Sequence, residues 1–315
     1  MAEAGVTDVA RIRLLWHPQA QFAGYLLAQA EALGAPRGVS IETSPVDFAM
    51  GPLEALVAGR VEFAVASPSH LLESPHAGDL TLLLTLQQQS ALVYPAHRAR
   101  GIHRLADLDG RRAGVWPGRE DLEFRWMLMR AGLGPTQVEH VPMNDTVGPF
   151  LAGTIDVAQM TVYHELHRVM HALGGADKVT LFRAADHGAA LIKDGLITTR
   201  RLAQAQPEFV QRVVDTVLEG WALALMDEQR AIDACLRAVP TLDPAHQRAQ
   251  WRDLRTLIAS GATATHGLGY PDPAHVARAA RAMTDLGHPV EAGTLANAVD
   301  DTFWQAAPGK FKALA

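Results

Sequence analysis

Arg11-Ile-Arg-Leu-Leu15-Trp16-His-Pro-Gln-Ala-Gln-Phe-Ala-Gly24, continuing through alanine- and leucine-rich sequence to Leu33, decides the fold class. Residues 11–15 read as a short strand, 16–24 as a polar turn and the stretch to 33 as a helix. A strand, a loop and a helix in that order open an α/β fold. Residues 39–45 alternate like a second strand, 52–58 read as a short helix ended by Gly59, and 61–66 as a buried apolar strand.

A helix at 69–72 precedes the long extended segment 80–94, which Gln87, Gln88 and Gln89 interrupt. That segment reads as a strand leaving a first lobe. A second α/β series follows without repeating the first in sequence: a helical turn at 105–108, strands at 112–115 and 138–141, a helix at 120–131, a short helix at 148–152, a strand at 157–160, a helix at 163–173 and a strand at 179–183. Residues 189–198 return as a second extended crossover. Beyond 201 the pattern is nearly all helical, with helices at 207–226, 228–239, 244–258, 273–286 and 290–304. The expected organisation is a first lobe begun by 11–90, a second lobe at 91–195, and a mostly helical return to the first lobe at 196–315. Two lobes joined by two crossovers form a hinge-closing architecture, in which ligands favour the cleft between lobes.

Composition narrows the function. The chain has 315 residues, 48% hydrophobic and 20% charged, more than one hydrophobic core usually supports. A net charge of -6 and the absence of a basic run interleaved with aromatics argue against a nucleic-acid partner. No stretch approaches the roughly 18 consecutive apolar residues of a membrane helix. Residues 1–8 lack the basic start and apolar core of a secretory leader, so a periplasmic or cell-surface location requires a leader already removed, and a cytoplasmic one is the other possibility. The single cysteine, Cys235, sits on an amphipathic helix and reads as a buried structural thiol.

With the pattern laid out, the chain resembles the substrate-binding proteins of ABC importers in the family that also contains the fungal thiamine-pyrimidine synthases. The resemblance runs over nearly the whole chain. It is carried by residues 16–25, by Leu56-Val-Ala-Gly-Arg-Val-Glu-Phe-Ala-Val65, by Gly101-Ile-His-Arg-Leu-Ala-Asp-Leu-Asp-Gly-Arg-Arg-Ala-Gly-Val-Trp116, and by Met160-Thr-Val-Tyr-His-Glu165, Asp194-Gly195 and residues 242–248. Each motif is weak alone; their order and spacing are specific. The resemblance implies a two-lobed periplasmic-binding-protein type II fold whose helical C-terminal part packs on the first lobe. It also implies a thiamine pyrimidine precursor such as formylaminopyrimidine, or riboflavin or another small aromatic, as ligand, with an ABC importer permease as partner. A monomer without cofactor is expected.

Candidate ligand-binding residues fall in the loops that follow strands. Trp16 offers an indole face for stacking, against a core-packing role, and Gln21 an amide that reads donor and acceptor edges. Gln87 lies at the first crossover and Asp194 on the second, before Gly195. Ser67 is assigned to ligand and Ser69 to helix capping. In the second series, Trp116 offers an opposing aromatic wall, Gly118 a close backbone approach and Arg119 a partner for an anionic group, against a solvated helix-end arginine. The resemblance brings Tyr163 and Glu165 to the site, with helix-dipole complementation as the alternative for Glu165. Where the family often has Asn-Tyr-Glu, this chain has Tyr163-His164-Glu165. His164, His167 and His171 share a helical face, but the spacing is not H-E-x-x-H and no metal is assigned.

An enzyme of the synthase type carries a cysteine-rich motif and a cofactor-binding lysine in its N-terminal half; here the first lysine is Lys178 and Cys235 stands alone. No G-x-S-x-G, P-loop or strand-following G-x-G-x-x-G occurs. A binding protein is therefore preferred, with a synthase-like enzyme and a cytoplasmic ligand-sensing module as the competing classes.

Overall fold

The structure, a computed structural model, describes residues 7–118 and 120–314. The chain begins with β1 (Asp8–Arg13), α1 (Ala23–Ala30), β2 (Val39–Ser44), α2 (Pro52–Val57), β3 (Phe63–Ala66), α3 (Pro68–Glu73) and β4 (Leu80–Thr85). There follow β5 (Leu92–His97), β6 (Arg111–Val115), α4 (Leu122–Arg130), β7 (Val138–Pro142), α5 (Val147–Leu151), β8 (Val157–Ala158), β9 (Met160–Thr161), α6 (Glu165–Leu173) and β10 (Val179–Phe182). β11 (Gly195–Thr199) returns before a helical series: α7 (Arg200–Ala205), α8 (Pro207–Met226), α9 (Glu228–Ala238), α10 (Pro244–Ile258), α11 (Gly261–His266), α12 (Pro273–Asp285), α13 (Ala292–Ala296), α14 (Thr302–Ala306) and α15 (Gly309–Lys312).

Two compact units result. The first holds the described residues up to Gln88 with Lys193–Ala277 and the stretch from Glu291; the second holds Gln89–Ile192 and Arg278–Val290. The expected single C-terminal block at 196–315 does not contain this last division, in which the end of α12 goes with the second unit.

In the first unit a five-stranded sheet has the order β2-β1-β3-β11-β4. β1 runs parallel to β2 and β3, whereas β11 is antiparallel to β3 and β4. All residues of β3 and β4 are buried, as apolar strands covered on both faces require. α1 and α8 meet through glycines. A Cβ on Gly220 would lie 2.3 Å from the Gly24 carbonyl oxygen, and one on Gly24 would lie 2.2 Å from the Trp221 ring. The two backbones approach because neither carries a side chain at the crossing. Gly220→Ala gains about 1 kcal/mol of helix propensity. Overpacking against a backbone oxygen outweighs that gain, and a net loss of about 1–3 kcal/mol is expected from urea unfolding. An unchanged midpoint would contradict this packing.

The second unit has a six-stranded sheet ordered β10-β5-β8-β6-β7, with β9 also paired to β5. β6 is parallel to β7 and β8, and β5 is antiparallel to β8, β9 and β10. Its core includes Val93, Phe150, Ile155, Met160 and Val169.

One helical expectation fails. Residues 290–304 form α13 and α14 rather than a single helix, because Val299 between them bridges Leu82 beside the first sheet. Leu82 N–H donates to Ala298 O, and Asp300 N–H to Leu82 O. These bonds supply backbone partners that continuing the helix would have removed. Among the described residues, no helix is long and apolar enough to cross a membrane.

Candidate functional site

Strand register sets the geometry in the first unit. Gly195, the first residue of β11, lies opposite Ala66 and Thr85, the last residues of β3 and β4. The carboxyl ends of β1, β3 and β4 therefore share one edge with the start of β11, and open α/β sheets bind ligands at such edges. Trp16, Gln21, Ser67, Gln87 and Asp194 all lie in the segments leaving or entering that edge.

Asp194 is 3% exposed and has φ of 63°, in the left-handed region that few residues other than glycine adopt. Its Oδ2 accepts hydrogen bonds from Gln21 Nε2 (2.8 Å) and from Gln87 Nε2. A carboxylate only accepts, so both amides must turn their NH2 groups towards it. Gln21 Oε1 then accepts from Gln19 Nε2 (3.1 Å), and Gln19 Oε1 from Gln250 Nε2 (3.0 Å). The result is a buried relay of amides polarised towards one acid. Gln247 Oε1 adds a bond from Ala20 N–H (2.7 Å), fixing the loop after β1 to α10. Beside the relay, burial and the negative charge of Asp194 push the Tyr25 hydroxyl pKa upward.

Sequence reasoning missed Gln19, Gln247 and Gln250. The available signal was two glutamines on the face of α10 that also carries Trp251, Leu254 and Ile258, where apolar side chains are the rule. It missed Phe48 as well. Phe48 is 60% exposed after β2 and makes an edge contact with Trp16, ring centroids 5.4 Å apart. Trp16 is half-buried and also meets His17 edge-on. The capping role expected at Ser69 belongs to Ser67, whose Oγ accepts from His70 N–H. The reason is that α3 begins at Pro68, one residue earlier than expected, so the cap shifts back with it. Ser67 Oγ is also hydrogen-bonded to Ser69 Oγ.

In the second unit the corresponding edge gathers the carboxyl ends of β6 and β9 and the start of β5, where Leu92 lies opposite Thr161. Trp116 and Gly118 follow β6, and Gly118 is exposed with φ of 76°. Arg119 lies outside the described residues. Gln159, another residue the sequence did not flag, is buried between β8 and β9. Its Oε1 accepts from Trp116 N–H (3.1 Å) and its Nε2 donates to Glu120 O (2.8 Å), clamping the loop after β6. Tyr163 is 1% exposed. Glu165 opens α6, and its Oε2 accepts from Thr161 N–H (2.9 Å) and Oγ1 (2.6 Å). Desolvation holds His164 below the usual imidazole range. No group of three His, Cys, Asp or Glu among the described residues is placed to hold a metal ion. Cys235 in α9 is fully buried, which pushes its thiol pKa up to about 12, far from a reactive thiolate.

Comparison with known proteins adds a family and a fold. A family model described as NMT1/THI5 like matches residues 19–231. The chain is 24% identical over 263 residues to the riboflavin-binding protein RibY of Chloroflexus aurantiacus, covering 81% of this chain and 74% of that protein. The alkanesulfonate-binding protein SsuA from Xanthomonas axonopodis pv. citri, bound to MOPS, superposes with TM-score 0.69 at 22% identity, covering 95% of this chain and 100% of SsuA. The desulfurization enzyme DSZB superposes with TM-score 0.61 at 15% identity over 95% of this chain and 98% of its own. The expected two-lobed α/β binding-protein fold is the one these structures share with the chain. At these identities the likeness speaks for fold alone, since binders and an enzyme share it.

Proposed function

The chain belongs to the NMT1/THI5-like family, and from that premise we propose that it is a solute-binding protein that captures a small heteroaromatic molecule and delivers it to an ABC importer. The observation that supports this best is the edge of the first sheet, where Trp16, Gln21, Ser67, Gln87 and Asp194 converge from separate stretches of sequence. An indole supplies a flat apolar face, while amides and a carboxylate read the polar rim of a ring. On the second unit, Trp116, Gly118, Arg119, Tyr163 and Glu165 are the candidate ligand residues, the Glu165 carboxylate being shared with Thr161.

The ligand is a thiamine pyrimidine precursor such as formylaminopyrimidine, the class to which the sequence resemblance points. RibY, a riboflavin-binding protein 24% identical to this chain, favours riboflavin as the second reading. Ligand contacts made only in a closed form would shift an open-closed equilibrium. The closed form then meets the permease, in the periplasm or at the cell surface, as a monomer. DSZB is an enzyme on the same fold, but the buried thiol of Cys235 and the lack of any lysine before Lys178 favour binding without turnover.

A thermal-shift screen against formylaminopyrimidine, thiamine, riboflavin and pyridoxal phosphate tests the reading. A saturable rise with the pyrimidine or with riboflavin supports it. No shift with any of them rejects the heteroaromatic assignment and revives the sensing module.

A further inference from the structure

We propose that Asp194 and Gln87 form the specificity end of the solute site, a pair of acceptors that selects a ligand bearing hydrogen-bond donors and turns away one that presents an anion. This deepens the solute-binding reading and rests on it.

Two features coincide at this point of the sheet edge. The first is the Gln87 side chain. Its NH2 is committed to Asp194 Oδ2, so its carbonyl is directed elsewhere; Oε1 is buried, on a residue 1% exposed, and has no hydrogen-bond partner. An unsatisfied buried acceptor is costly to keep, and a donor supplied by a ligand would satisfy it. The second is the backbone of Asp194. Its positive φ is strained for a residue with a Cβ. Such strain concentrates at ligand clamps. The strain aims a carboxylate at the position where the β4 segment brings the Gln87 amide, and Leu86 N–H bonded to Asp194 O (3.1 Å) locks the two segments together.

The chemistry that fits is an amino group, a ring N–H or a set of hydroxyls on a flat solute, because each places a donor against the carboxylate and the amide carbonyl. A sulfonate, carboxylate or phosphate at the same point would face two acceptors, one of them negatively charged. Discrimination of this kind comes from the repulsive element as much as from the attractive one.

Calorimetric titration with matched probes tests the proposal: riboflavin against 3-methylriboflavin, 4-amino-2-methylpyrimidine against its 4-dimethylamino analogue, and MOPS. With the unsubstituted chain, the donor-bearing member of at least one pair is expected to bind about 10- to 100-fold tighter than its methylated partner, and MOPS not to bind. Asp194→Asn retains an acceptor for Gln21 and Gln87 while removing the negative charge and adding an amide donor, and should erase the preference. Gln87→Leu should reduce it independently. Equal binding of methylated and parent probes, or binding of MOPS by the unsubstituted chain, overturns the proposal while leaving the solute-binding reading intact. No binding of any heteroaromatic probe removes that reading and the proposal together.

Discussion

Asp194→Ala is expected to lower the unfolding free energy by about 2–4 kcal/mol, whereas Asp194→Asn costs less than about 1 kcal/mol. The difference follows from what the carboxylate does for its neighbours. Gln21 and Gln87 both donate to Oδ2, and removing the side chain strands two buried amide donors at about 1–3 kcal/mol each. Deleting a buried charge recovers part of this, because the desolvation of the carboxylate no longer has to be offset. Alanine does not relieve the backbone, since the left-handed conformation tolerates it less well than Asp or Asn. Asparagine keeps an acceptor for both donors and remains compatible with the positive φ. Urea unfolding of the two variants decides the matter: equal midpoints would mean that the relay through Gln21, Gln19 and Gln250 does not depend on its terminal acid.

Trp126→Ala is expected to cost about 3–5 kcal/mol and to loosen residues 278–290 selectively. Trp126 in α4 is 1% exposed, and its indole N–H donates to Asp285 Oδ2 at 3.0 Å. The guanidinium groups of Arg130 and Arg278 lie over the ring, 5.6 and 5.2 Å from its centroid. Arg278 also donates to Ala190 O and Gly188 O, both at 2.6 Å. One tryptophan thus fastens the end of α12 to the second unit. Hydrogen exchange read by mass spectrometry should show residues 278–290 losing protection ahead of the rest of α12; uniform protection along the helix would contradict that anchoring.

The same segment marks where the sequence stops being legible. The strand-helix alternation and the proline-started helices α8 and α10 follow from local pattern, since a proline at the first helical position and a hydrophobic stripe behind it are properties of the segment itself. The assignment of 278–290 to the second unit depends on Trp126, over 150 positions away, and no periodicity announces such a partner. The break between α13 and α14 has the same origin, because Val299 is drawn to Leu82.

The candidate site divides along similar lines. Trp16, Gln21, Ser67, Gln87 and Asp194 were legible as polar or aromatic residues at strand ends, where an α/β fold exposes its ligand edge. What the sequence hid was the wiring. Gln250 reaches Gln19 across 231 positions, and Gln159 holds the loop after β6 from a break between two short strands. Glu165 illustrates the limit: the residue type suits a ligand reader, yet its carboxylate is engaged with Thr161 at the start of α6.

The most direct test of the solute-binding account is calorimetric titration of the chain with formylaminopyrimidine and with riboflavin, followed by mass spectrometry of the ligand recovered from the saturated protein. The account predicts saturable one-to-one binding of one of them and recovery of the ligand unchanged. Failure to bind either, or recovery of a chemically altered product, would contradict it.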